Sequence, residues 1–199
     1  MLETSFILET AGTVLSLAYV ILLMLNKVWA WPCGILGSAI MGYTFVTAEH
    51  PLYMETVSYT VYTLMGVYGL WYWMQSHKTG KDVVQEQGRP IVEWSLLSHA
   101  GILLGGSLLA LAIGTALKST DEARPMFDSF TTVFALIGTW MQARKILSNW
   151  LYWLVINMAS IYLYWDTGFN QYSLLTMVFT VLSVTGYLQW RKLYAAQPV

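Results

Sequence analysis

Seven apolar stretches, each near the length of a bilayer-spanning helix, constrain this chain more than any other feature of its sequence. A spanning helix needs about 20 mostly apolar residues, because it must satisfy its own backbone hydrogen bonds while it crosses hydrocarbon. The predicted spans are Ser5–Leu25, Val28–Thr47, Leu52–Met74, Val92–Leu117, Met126–Ala143, Ile146–Trp165 and Gln171–Trp190. The sequence therefore predicts an all-α integral membrane protein with seven transmembrane helices.

The scarcity of charge excludes a water-soluble fold. Charged residues make up 11% of the chain, whereas soluble domains average about 25%. The net charge of −1 argues against a nucleic-acid partner, since phosphate backbones attract basic surfaces. Cys33 is the single cysteine, and His50, His77 and His99 are widely separated, so we expect no metal and no cofactor. No nucleophile–base set or phosphate-binding loop is recognisable, so we do not expect an enzyme.

Basic residues concentrate on one side of the predicted membrane. Eight of the ten Lys and Arg residues follow spans one, three, five and seven, and only Lys118 and Arg124 lie on the other side. The positive-inside rule then predicts an outside N-terminus and a cytoplasmic C-terminus. Tryptophans cluster at the span ends, as an interfacial belt would: Trp29, Trp31, Trp71, Trp73, Trp150, Trp165 and Trp190.

The first three and last three spans resemble each other at an offset of about 119 residues. The matching pairs are Glu9 and Asp128, Trp31 and Trp150, Tyr43 and Tyr162, and Tyr53 and Tyr172. We therefore predict a three-helix repeat at residues 1–75, a linker transmembrane helix at 92–117 and a second repeat at 126–192. Because one helix joins the two repeats, they have the same orientation, and such a parallel 3+1+3 plan is typical of transporters.

Span three has a polar and aromatic face. Glu55, Tyr59, Tyr62 and Gly66 follow i, i+4, i+7, i+11 spacing and share one side of a helix. Ionisable groups inside a membrane are functional candidates by default, and a tyrosine hydroxyl in lipid has no partner. This face is predicted to line a solute path, with helix–helix packing as the alternative.

Span six has the most specific pattern. Trp150, Trp153 and Asn157 follow i, i+3, i+7 spacing and share a face. Indole rings stack on planar solutes and attract cationic ones, and an amide both donates and accepts hydrogen bonds. These residues are predicted to bind a small aromatic solute. The alternative is that the tryptophans anchor the interface and Asn157 joins helices.

The stretch around span six resembles the signature of a known family, the Pnu family of bacterial vitamin transporters. The resemblance rests on Arg144-Lys145, Asn149-Trp150-Leu151-Tyr152-Trp153, Ile156-Asn157, Glu9-Thr10-Ala11-Gly12-Thr13, Asp128-Ser129 and Tyr68-Gly69-Leu70-Trp71-Tyr72-Trp73. It covers most of the chain. It implies seven helices in a 3+1+3 arrangement similar to that of SWEET sugar carriers, located in the bacterial inner (plasma) membrane.

The resemblance also implies a function, facilitated diffusion of a vitamin that a cytoplasmic kinase then traps by phosphorylation. It implies that Trp153 and Asn157 contact the substrate, and Trp150 fits the same motif. The leading hypothesis is a cationic B-vitamin compound, either nicotinamide riboside or thiamine. Tyr59 stands where nicotinamide riboside carriers tend to have an amide, which favours thiamine. Riboflavin or deoxynucleosides, a non-transporting receptor or assembly protein, and a homo-oligomer remain open.

Overall fold

Seven helices make up most of the described chain. The computed structural model describes residues 2–48, 53–75, 78–79, 83–84, 89–119, 124–166 and 170–197. The helices are α1 (Leu2–Met24), α2 (Ala30–Val46), α3 (Tyr53–Met74), α4 (Leu96–Leu117), α5 (Pro125–Ala143), α6 (Asn149–Asp166) and α7 (Asn170–Ala195). Each helix coincides with one of the seven predicted spans.

The predicted spans Val92–Leu117 and Ile146–Trp165 begin before the helices α4 and α6 do. Val92 is not helical but forms an isolated parallel β-bridge with Ile146, and the Leu147 N–H donates to the Val92 carbonyl at 2.8 Å. α4 starts only after Ser95, whose side chain accepts a hydrogen bond from the Ser98 N–H. Apolar composition extended the predicted spans over this bridge, because hydropathy does not distinguish an apolar extended segment from a helix.

The polar segment between α3 and α4 contains a short antiparallel pair, β1 (Lys78–Thr79) and β2 (Val83–Val84), which the sequence analysis did not predict. His50, His77, Lys81, Asp82 and Glu86 lie outside the described residues. The side chains of Tyr53, Trp165 and Tyr172 are also outside the described part.

Three of the described helices are long and apolar enough, by length and composition, to cross a membrane. They are Phe6–Met24 in α1, Leu96–Leu117 in α4 and Ser173–Ala195 in α7. α2 is apolar but shorter. α4 is the most lipid-like, because Leu96, Leu97, Leu104 and Leu108 on its surface are all largely exposed. An exposed apolar face of this kind is stable in hydrocarbon and costly in water.

The chain forms two compact units. One comprises residues 1–91, 143–145 and 189–199, and the other comprises residues 92–142 and 146–188. α1, α2 and α3 lie in the first unit, and α4, α6 and most of α5 and α7 lie in the second. The predicted division at 1–75, 92–117 and 126–192 stays a prediction.

The same tryptophan–glycine packing occurs once in each unit. In the first unit a Cβ atom on Gly69 would lie 2.5 Å from the ring of Trp31. In the second unit a Cβ atom on Gly186 would lie 2.6 Å from the ring of Trp150. The two pairs are related by nearly the same offset as the sequence repeat. Only glycine at α3 and α7 allows a buried indole to approach this closely.

The turns that end α1 and α5 also match. Asn26 has φ 55° and Lys145 has φ 56°, both in the left-handed region. The N–H of the following residue donates to a carbonyl five residues back at 2.9 Å, from Lys27 to Leu22 and from Ile146 to Met141. This is the Schellman hydrogen-bond pattern, which usually has glycine at the left-handed position. Neither position is glycine, so the sequence did not reveal this conserved geometry of the repeat.

Candidate functional site

Trp153 has an unused hydrogen-bond donor. The half-buried ring packs against Gly138 of α5, where an added Cβ atom would lie 3.0 Å from the indole nitrogen. Its buried Nε1 has no hydrogen-bond partner among the described residues. An unpaired buried N–H costs about 1–3 kcal/mol. A solute that accepted this hydrogen bond would remove that cost.

Asn157 joins two helices of the second unit. Its side chain is buried, and Nδ2 donates to Ser183 Oγ on α7 at 3.2 Å. The Ser183 hydroxyl in turn donates to the Phe179 carbonyl at 2.8 Å. This arrangement is the helix-joining role that the sequence analysis kept as an alternative. An amide has two donors and one acceptor oxygen, so this bond does not exhaust its capacity.

Trp150 differs from Trp153 because its ring is only 1% exposed and lies against Gly186. Its repeat counterpart Trp31 is equally buried against Gly69. A packing role repeated in both units needs no solute to explain it. These contacts favour a structural role for Trp150 over a substrate contact.

The predicted face of α3 is aromatic within the first unit. Tyr59 and Tyr62 have ring centroids 5.8 Å apart in an edge-on arrangement, and Tyr59 also contacts Phe45 at 5.4 Å. Both tyrosines are half-buried, whereas Glu55 is exposed. The structure therefore brings the two tyrosines together and places Glu55 about one helical turn away from them.

The tryptophans predicted to form an interfacial belt differ in their exposure. Trp29 and Trp71 are exposed, as interfacial anchors would be. The prediction is wrong for four tryptophans that are buried, Trp31, Trp73, Trp150 and Trp190. Two of these tryptophans donate hydrogen bonds to carbonyls at helix ends. Trp73 Nε1 donates to the Ala143 carbonyl at 3.1 Å, and Trp190 Nε1 donates to the Leu23 carbonyl at 2.9 Å.

A cationic cluster in the first unit was not predicted from the sequence. The Tyr72 ring has two guanidinium groups near it, Arg89 at 4.3 Å and Arg144 at 4.9 Å from the ring centroid. Arg144 also donates to the Tyr68 hydroxyl at 3.2 Å, and this hydrogen bond raises the pKa of Arg144 further above its usual value. Arg89 donates to the Gln75 side chain. In the sequence, the only indication of this cluster was the pair Arg144-Lys145 after the fifth predicted span.

A cavity of about 570 Å³ lies within the second unit, between α4, α5 and α6. Its α6 lining includes Tyr152, Val155 and Ala159, on a different face from Trp153 and Asn157. None of the six residues predicted to bind substrate, Glu55, Tyr59, Tyr62, Trp150, Trp153 and Asn157, lines this cavity.

The seven described helices, several of them apolar enough to cross a membrane, define a class, the multi-pass helical membrane proteins. Residues 6–192 match the family described as nicotinamide mononucleotide transporter. The chain therefore belongs to this family of membrane transporters. Membership confirms the predicted family resemblance and the prediction of a transporter rather than an enzyme.

Individual relatives are distant but cover most of the chain. The chain is 20% identical over 206 residues to the nicotinamide riboside transporter PnuC of Escherichia coli (strain K12), covering 92% of this chain and 84% of that protein. It is 18% identical over 185 residues to the riboflavin/roseoflavin transporter RibM of Streptomyces davaonensis, with 92% and 83% covered.

A solved structure confirms the fold. The crystal structure of the vitamin B3 transporter PnuC matches with a TM-score of 0.75 at 18% identity, covering 96% of this chain and 83% of that chain. At this identity the match shows the seven-helix transporter fold and a multi-pass membrane protein.

Proposed function

We propose that this protein carries a cationic B-vitamin compound, nicotinamide riboside or thiamine, across the membrane by facilitated diffusion. The observation that carries the proposal is Trp153, whose buried indole N–H has no partner among the described residues. An indole in this state offers a ring face and a donor together, which suits a heteroaromatic ring with polar substituents.

The second unit supplies the residues assigned to ring recognition. A cationic ring on the Trp153 face gains about 0.5–2 kcal/mol of cation–π attraction. Asn157, on the same face of α6, is assigned the orientation of a hydroxyl or ring substituent. Trp150 belongs to the same motif, but its packing on Gly186 leaves the proposal resting on Trp153 and Asn157.

Residues of α3 are proposed as further solute contacts. Glu55 is an exposed carboxylate on α3 that attracts a cation, and Tyr59 and Tyr62 present adjacent rings with hydroxyl groups. A carboxylate with aromatic neighbours favours a cationic solute over a neutral one.

Net uptake in this proposal comes from chemistry on one side of the membrane. The carrier equilibrates its solute, and a cytoplasmic kinase phosphorylates the vitamin so that it no longer leaves. The N-terminus is proposed to lie outside and the C-terminus in the cytoplasm of a bacterial cell, because eight of the ten basic residues follow alternate spans. The proposed mechanism does not depend on whether the carrier associates into a homo-oligomer.

A second candidate substrate is riboflavin, which the similarity to the riboflavin/roseoflavin transporter RibM favours. Deoxynucleosides belong to the same class of uncharged solutes. Neither solute has a positive charge for Glu55 or for the indole face of Trp153. A non-transporting receptor or assembly protein is the alternative from a different class, and it would bind a solute without equilibrating it across a membrane.

Uptake into proteoliposomes tests the proposal. Purified protein in vesicles without an ion gradient is given labelled nicotinamide riboside, thiamine or riboflavin. We expect entry of one cationic vitamin up to the outside concentration, and accumulation beyond it only when a matching kinase and ATP are enclosed. Trp153→Ala and Asn157→Ala should each weaken binding by about tenfold or more, a loss of roughly 1.4 kcal/mol.

The matched control is Trp29→Ala, since Trp29 is 69% exposed and lies outside the proposed site. Uptake by this variant should equal that of the wild-type protein. Binding without entry would identify a receptor instead of a carrier. Wild-type affinity in folded Trp153→Ala and Asn157→Ala proteins would remove these residues from the site.

A further inference from the structure

None of the residues assigned to the vitamin lines the apolar groove in the second unit. It lies between α4, α5 and α6 and has a volume of about 570 Å³. Its length along α6, from Leu151 to Ala159, is about 12 Å at 1.5 Å per residue. Phe127, Phe130 and Phe134 of α5 line one wall. The half-thickness of a bilayer's hydrocarbon core is about 15 Å, so the acyl chain of a lipid is long enough to lie along the groove.

The groove is open along one side. Val155 on its rim is 68% exposed, and Leu103 and Leu151 are also exposed. Leu103 lies in the middle of α4, a helix apolar enough to cross a membrane. Because the rim is at the depth of the hydrocarbon core, the molecules that reach it are lipid chains.

One end of the groove is polar. His99 Nδ1 lies 3.1 Å from the Tyr152 hydroxyl, and His99 Nε2 lies 3.1 Å from Ser148 Oγ and 3.4 Å from Glu93 Oε1. The Trp94 ring lies beside His99, tilted with centroids 5.7 Å apart, as an interfacial aromatic would. These groups precede α4 or lie in the first turns of α4 and α6, so this end is at the membrane surface.

Glu93 is the acidic side chain at the polar end of the groove. The other Lys, Arg, Asp and Glu residues described in the second unit up to α5 are Lys118, Arg124 and Asp128, which lie at the other end. A carboxylate attracts an ammonium group and repels an anionic headgroup. Hydroxyl and imidazole groups beside it suit the ester and phosphate oxygens of the same lipid.

We propose that this groove binds one acyl chain of a phospholipid whose headgroup carries a primary ammonium, with the ammonium at Glu93 and the chain along Phe127, Phe130 and Phe134. The lipid comes from the leaflet on the side of the α5–α6 connection. The groove shares no lining residue with the proposed vitamin site.

Native mass spectrometry of the detergent-purified protein tests this site with phosphatidylethanolamine and phosphatidylglycerol as the two probes. We expect the wild-type protein to retain one phosphatidylethanolamine with a preference of about tenfold over phosphatidylglycerol. Glu93→Gln, which keeps the shape of the site, should remove the preference. The double variant Ser107→Leu with Ala159→Leu fills the groove and should lose both lipids.

The control is Ala112→Leu, the same change as Ala159→Leu but at an exposed position of α4 outside the groove, and it should bind lipid as the wild type does. Equal lipid retention by wild-type and double-variant proteins would overturn the proposal. Equal binding of both lipids by the wild type would overturn the role of Glu93. Dimers held together at this groove without lipid would show that a second copy of the chain occupies it. None of these measurements follows vitamin transport, so a result that overturns the lipid site leaves the transport proposal intact.

Discussion

The ammonium group of Lys145 is buried, which is unfavourable for a charged group. The residue is 1% exposed in the turn between α5 and α6, and its Nζ lies 4.2 Å from the centroid of the Trp73 ring. Burial lowers the pKa of Lys145 from 10.5 to about 8. The cation–π contact returns only part of the lost hydration energy.

This burial makes stability depend on pH in a defined direction. The unfolded chain binds the proton of Lys145 more tightly than the folded chain, so stability should rise as pH increases from about 8 to 10.5. Below about pH 8, burial of the charged Lys145 lowers the free energy of unfolding by its full amount, on the order of 3 kcal/mol at most. Lys145→Met should raise the Tm at neutral pH and remove the rise in alkaline solution, measured by thermal unfolding in detergent.

The control for Lys145 is Lys27→Met. Lys27 is exposed beside the equivalent left-handed turn, where Asn26 has φ 55°. Its replacement should leave the pH dependence of the Tm unchanged. A pH dependence that is the same in wild-type and Lys145→Met proteins would contradict the account of this lysine.

Sequence periodicity predicted the face of α6 but not the difference between its two tryptophans. Trp150 and Trp153 both fit the pattern, because the pattern records only direction around a helix. The distinction depends on Gly186 and Gly138, which other helices bring against the rings. The burial of Lys145 was equally absent from the sequence pattern, since a lysine after an apolar span is normally solvated.

At the scale of elements, close helix packing depends on glycine in α3 and α7. A Cβ atom on Gly186 would lie 2.6 Å from Trp150, nearer than atoms approach in folded proteins. Gly101 and Gly105 in α4 have nothing within 4 Å of such an atom. The same residue type therefore has different roles in different helices.

Alanine substitution should separate these roles. Gly186→Ala overpacks a buried indole and should lower stability by about 1–3 kcal/mol. Gly101→Ala, at an open position in a helix, should be neutral or stabilising by up to about 1 kcal/mol. Thermal unfolding of both variants checks the prediction. Equal stability of the two would mean that α6 and α7 do not pack as the structure shows.

At the scale of the whole molecule, the fold was more predictable than the solute. Hydrocarbon requires long apolar helices, so seven spans were visible in the sequence, and α1 to α7 confirm them. The repeat was also visible, and the matching turns at Asn26 and Lys145 give it a structural counterpart. The solute depends on a few side chains whose contacts come from several helices, so the sequence alone did not decide between two cationic vitamins.

The central claim is that this transporter recognises a cationic aromatic vitamin through Trp153. Calorimetric titration of the detergent-purified protein with nicotinamide riboside, thiamine and riboflavin, each in separate experiments, tests it most directly. The account predicts binding of one of the two cationic vitamins, weakened about tenfold or more in Trp153→Ala. Binding of riboflavin alone, or of none of the three, would contradict it.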